Sequence, residues 1–253
     1  MPLACFDTET TGPIPTECRL VTAFIGKIDG SEVIQQNWMV DPGIEIPEGA
    51  AEVHGVTTEI AQRDGMDYKS GYAAIRDALT DCWEEGRIIA AYNASFDFTL
   101  MDYEGRRLGW ESMEFGPIVD PYVLDREHDK YRKGKRTLGV TAEHYGLSLK
   151  NAHTADADAL AAARLAWKFG RREDLAGLTA EELMAKQGEW HLARQEDFKK
   201  YLVKKATSAE KRIKKMHEQI EQLTADAAEA REKSLTVNGD WPIRKVEDVH
   251  RED

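Results

Sequence analysis

Cysteine is scarce in this 253-residue chain, which holds only Cys5, Cys18 and Cys82. Their odd number and their lack of metal-ligand spacing exclude a disulfide scaffold; they read as small core residues in a reducing cytoplasm. Long apolar runs are missing too. No stretch approaches the roughly 20 residues that span a bilayer, so no membrane association is expected. Residues 1–12 also lack the basic-then-apolar order of a signal peptide. Net positive charge is absent as well: the formal net charge is -12, which argues against a protein that coats nucleic acid by bulk attraction. A nuclease stays open, because bound cations and one local basic patch invert the field at a single site. With 42% hydrophobic and 8% aromatic residues, the chain can build one sizeable core and carry an appendage.

The pattern of apolar residues predicts strands at 3–8, 19–28 and 32–40, with Gly30 in the turn between the last two. Pro42, Gly43, Pro47 and Gly49 mark a loop. A helix is expected near 71–83, a buried strand at 87–92, and an amphipathic helix over 94–108 with Phe98, Met101 and Leu108 on one side. Residues 117–124 read as a short strand running into a helix, and helices follow over 136–144 and 154–169. Strands followed by alternating helix and strand specify an α/β fold with a mixed sheet flanked by helices. This α/β body is assigned to residues 1–176, and residues 177–253 to a helical appendage. From Thr179 to Gly239 the only glycine is Gly188, and proline is absent. Ala206, Ala209, Ile213, Met216, Ile220, Leu223, Ala227 and Ala230 recur at spacings of three and four, a coiled-coil-like seam of about four heptads. If continuous, it would extend roughly 40 Å. It would serve a homodimer or a protein partner through residues 204–233, fold against the preceding helix, or remain a solvated helix. Asn238-Gly239-Asp240-Trp241-Pro242 reads as a turn that docks an aromatic anchor.

Chemistry begins at Cys5-Phe6-Asp7-Thr8-Glu9-Thr10-Thr11-Gly12. Strand alternation puts Asp7 and Glu9 on one face, where two carboxylates repel unless a hard divalent cation sits between them. Asn93-Ala94-Ser95-Phe96-Asp97 stands where the buried strand hands over to a helix. Asp97 is either a first-turn acid favoured by the helix dipole or a third metal-directed carboxylate. His153-Thr154-Ala155-Asp156-Ala157-Asp158 opens another helix, bringing an imidazole and an acid to one helix start. Asp156 competes with Asp158 for the site role and is read as the dipole partner.

Taken in order, Asp7 to Gly12, Asn93 to Asp97, and His153 followed by Asp158 resemble the three motifs of the DEDDh (DnaQ-like) exonucleases, which include the proofreading subunit of bacterial DNA polymerase III. The segments Met39 to Thr57 and Arg136 to Gly146 resemble that family's connecting regions, so the likeness covers roughly residues 1–172. It implies a ribonuclease-H-like fold and metal-dependent 3′→5′ hydrolysis of phosphodiester bonds. Catalysis would rest on Asp7, Glu9, Asp97, His153 and Asp158. The four acids would hold two divalent cations, Mg²⁺ or Mn²⁺, and His153 would act as the base. Thr8, Thr10, Thr11, His54, Asn93 and Phe96 are the expected substrate contacts. The partner is nucleic acid with a free 3′ end, chiefly single-stranded DNA, and the product is nucleoside 5′-monophosphate. RNA tails are the alternative substrate, and an adaptor role for the long helix in a replication or repair complex is the alternative function. Tyr131 to Arg136 is the most basic stretch of the domain and is read either as a phosphate-tracking loop or as an ordinary solvated one.

Overall fold

In the computed structural model, which describes residues 2–147, 155–235, 237 and 239, the sheet follows from strict alternation. Along β1 (Leu3–Thr10), Ala4 and Phe6 join one hydrophobic cluster and Cys5 joins another. The same division recurs in β2 (Leu20–Asp29), where Ala23 and Ile25 face one way and Phe24 the other. Both faces of these central strands are therefore covered, as their near-continuous apolar sequence requires. β3 (Glu32–Met39) is polar and largely exposed, which suits its place on the sheet edge. A two-residue turn with Gly30 at φ 65° links β2 to β3, the left-handed geometry such hairpins need.

The five strands run in the order β3-β2-β1-β4-β5, completed by β4 (Ile88–Ala90) and β5 (Ile118–Val119). The first three pair antiparallel, and β1, β4 and β5 pair parallel, so the sheet is mixed as expected. β4 is shorter than the predicted 87–92 because the chain turns at Asn93, which has φ 63°.

Among the described residues, seven shorter helices flank the sheet. α1 (Glu48–His54) and α2 (Thr58–Asp64) occupy ground where the sequence suggested a loop. The prolines and glycines there are helix punctuation: Pro47 precedes α1, Gly55 closes it at φ 77°, and the Thr57 hydroxyl accepts from the Ile60 N–H to cap α2. α3 (Tyr68–Glu84) and α4 (Ser95–Arg107) pack on the Phe6 face through Tyr72, Ile75, Leu79, Phe98 and Met101. On the Cys5 face lie α5 (Pro121–His128) and α7 (Ala155–Phe169), whose Ala159, Ala163 and Ala166 allow a close approach to the sheet. α6 (Leu138–His144) packs beside α7.

α8 (Ala180–Leu235) runs through Gly188 without a break. Its start is a capping box: the Thr179 N–H donates to Glu182, and the Glu182 N–H donates back to the Thr179 hydroxyl. Two compact units result, residues 1–193 and 194–253. The first turns of α8 belong to the first unit, where Leu183 and Trp190 join the cluster beneath α7. In the second unit every residue from Arg194 to Leu235 is exposed. Among the described residues no helix is long and apolar enough to cross a membrane. The expected turn at 238–242 lies, apart from Gly239, outside them.

Candidate active site

The two acids of β1 share the face of Cys5, under α7, and both are half-buried. A slip in the β1–β2 register between Glu9 and Thr10 forms a bulge that ends regular pairing just beyond them. Thr8 points the opposite way, toward α4. Its hydroxyl donates a 2.6 Å hydrogen bond to Oδ1 of Asp97, which is buried in the first turn of that helix. The strand thus carries its own carboxylates on one side and grips a third on the other.

Charge ties these groups together. Burial is the largest cause holding the Asp7 carboxyl well above the usual range, followed by the charges of Asp97, Glu9 and Asp158. Burial, then Asp158 and Asp97, raises Glu9 to about 7. Asp97 is likewise raised to about 7, first by burial, with the Thr8 bond opposing the shift. Asp158, not its neighbour Asp156, is the α7 carboxylate whose charge reaches both strand acids. Among the described residues, no three acidic, histidine or cysteine side chains already form a closed metal cage. The donor set nonetheless fits a hard cation, since buried acids that repel one another are relieved by positive charge. His153 lies outside the described residues.

The expected substrate contacts divide. The hydroxyls of Thr8, Thr10 and Thr11 all bond within the protein: Thr8 to Asp97, Thr10 to the Gly12 carbonyl at 2.7 Å, and Thr11 as acceptor from the Arg19 N–H at 2.9 Å. Phe96 is partly buried against the α3–α4 cluster, and Asn93 is exposed at its left-handed turn. His54 accepts from the Val56 N–H through Nδ1, its Nε2 is buried without a hydrogen-bond partner among the described residues, and burial lowers its pKa against the opposing pull of the Thr10 backbone.

A supporting layer escaped the reading of the sequence. Asp120 caps α5, accepting from Tyr122, and also accepts from the N–H groups of Asn93 at 2.9 Å and Ala94 at 3.0 Å. It therefore holds the turn that launches α4 and Asp97. Gln187 of α8 is buried, accepts from the Asp120 N–H at 2.7 Å, and donates to the Ile118 carbonyl at 3.0 Å. The pair Asp120-Pro121 is a helix-start signal, and it alone could have flagged Asp120. Nothing local marked Gln187. The basic stretch is also largely committed: Arg132 and Arg136 each bond the buried carboxylate of Asp125 at 2.7 Å, and the Tyr145 hydroxyl donates to the same group. Lys133, Lys135 and Tyr131 remain exposed.

The profile of the exonuclease family RNase_T matches residues 4–166, a span that contains all four carboxylates. The chain belongs to this DnaQ-like exonuclease family. Among its relatives, the DNA polymerase III PolC-type of Streptococcus thermophilus is 28% identical over 209 residues, 80% of this chain and 13% of that protein. That of Oceanobacillus iheyensis is 26% identical over 170 residues, 66% of this chain and 11% of that protein. The chain thus spans about an eighth of the relatives' length or less. The structure of exonuclease I superposes with a TM-score of 0.58 at 21% identity, covering 68% of this chain and 41% of that one. E. coli exonuclease I in complex with a dT13 oligonucleotide gives 0.57 at 20% identity, covering 68% and 42%. The fold is ribonuclease-H-like, with a long C-terminal helix added.

Proposed function

We propose that the chain removes nucleotides from the 3′ ends of single-stranded or frayed DNA and releases nucleoside 5′-monophosphates, in proofreading, repair or degradation. The observation that carries this reading is the strand end where the charges of Asp97 and Asp158 bear on both Asp7 and Glu9. Asp7, Glu9, Asp97 and Asp158 would hold two divalent cations, Mg²⁺ or Mn²⁺. When bound, such ions generate the nucleophile and stabilise the leaving oxygen. Thr8 orients Asp97, while the backbone from Thr8 to Thr11, with His54, Asn93 and Phe96, orients the terminal nucleotide. His153 accepts the proton of the attacking water, a task suited to imidazole near neutral pH. DNA is favoured over RNA because the relatives are DNA polymerases and a structural neighbour binds dT13. Division into an exonuclease domain over 1–176 and a helical appendage over 177–253 is part of the same proposal. So is a reducing, cytoplasmic setting, which the three free, buried cysteines support.

The test is digestion of matched 5′-labelled single-stranded DNA, duplex DNA and RNA with Mg²⁺, Mn²⁺ or EDTA. A ladder shortening from the 3′ end of single-stranded DNA, abolished by EDTA and by Asp7→Ala, is expected. Equal loss of RNA would move the substrate to RNA, and full activity of Asp7→Ala would remove the metal-site assignment.

A further inference from the structure

Among the described residues, the second unit leaves apolar side chains along α8 uncovered. Phe198, Val203, Ile213, Met216, Ile220 and Leu223 are each more than half exposed on α8. Written as heptads, Ile213 and Ile220 fall at a, and Met216 and Leu223 at d. β-Branched residues at a with unbranched-Cβ residues at d favour two-stranded parallel packing.

Charge selects the same arrangement. In a parallel, in-register pair, each g residue meets the e residue five positions later on the other helix. Lys205 then faces Glu210, Asp226 faces Arg231, and Phe198 covers Val203. Gln219 meets Thr224, and Arg212 with His217 adds no attraction. Every attractive contact occurs twice by symmetry. An antiparallel pair that kept the same seam, with Ile213 opposite Leu223, would set Lys205 against Lys233 and only Arg212 against Asp226. We infer that a second copy of this chain docks on α8 as a parallel, in-register coiled coil through residues 198–231. The chains leading to the two nuclease units would leave from the same end of the pair, so one substrate-bound unit would raise the local concentration of the other. This inference stands apart from the nuclease reading, since its readout is mass and register.

Sedimentation equilibrium of the full chain should give twice the monomer mass. Lys205→Glu alone and Glu210→Lys alone should each weaken association about tenfold, and the two together should restore it. Met216→Cys should form a disulfide with its own copy under mild oxidation, while Glu218→Cys on the outer face should not; the native cysteines are buried. A monomer at every concentration overturns the inference. So does a dimer indifferent to the charge reversals, or one in which Met216→Cys links only to an Ile220→Cys copy, which would mark an antiparallel pair.

Discussion

Thr8 and Asp97 are 89 residues apart in sequence and meet at 2.6 Å. Because Asp97 is buried, removing the Thr8 hydroxyl takes one donor from a carboxylate in a low-dielectric site and leaves it only the backbone bonds of Thr8 and Asp97, a costly change. Thr8→Val keeps the shape and deletes the hydroxyl. It should lower unfolding stability by about 1–3 kcal/mol in urea titrations and cut nuclease turnover about 10- to 100-fold, while Thr8→Ser stays near the parent in both. Glu9 predicts a pH effect. Its folded pKa is raised from 4.5 to about 7, so its contribution to stability is full below 4.5 and is lost as pH rises through 7. In EDTA the melting temperature should therefore fall across that window. Added Mg²⁺ should recover most of the drop at pH 7.5 and little at pH 5, as differential scanning calorimetry would report. Glu9→Gln should make the metal-free profile shallower without flattening it, because Asp7 and Asp97 are raised as well.

At the scale of elements, the turn from β4 into α4 depends on its neighbours. Asp120 ties down Asn93 and Ala94, and Gln187 ties Asp120 and Ile118 to α8. A short strand with a left-handed residue at its exit would otherwise fray. Gln187→Ala strands the Asp120 N–H and the Ile118 carbonyl, and should cost about 1–3 kcal/mol. Hydrogen exchange should quicken at Asn93 and Ala94 in that variant, whereas the β1–β2 ladder should keep its protection.

For the molecule as a whole, Leu183, Gln187 and Trp190 make the opening turns of α8 part of the first unit. A chain ending after Ala193 should melt close to the full chain, while one ending at Gly177 should melt lower by about 4 °C or more, since it loses buried apolar surface as well as Gln187. Scanning calorimetry of the two truncations checks this.

Much of this was legible beforehand. Three successive strands over residues 3–40, with Gly30 in the turn between the last two, were read from their apolar runs and the turn residues that bound them. Asp7 and Glu9 stood out as two acids on one strand face, whereas Asp97 and Asp158 were singled out only by the order of the three motifs, since each alone reads equally as a first-turn helix acid. Less legible were α1 and α2, whose bounding proline and glycines read equally well as a loop. The sequence by itself determined which groups must be charged, buried or helical, since those depend on residue type and local spacing. The tertiary structure alone decided which of them meet: Thr8 with Asp97, Gln187 with Asp120, Arg132 and Arg136 with Asp125. Such pairings depend on how distant elements stack, and no local pattern encodes that distance.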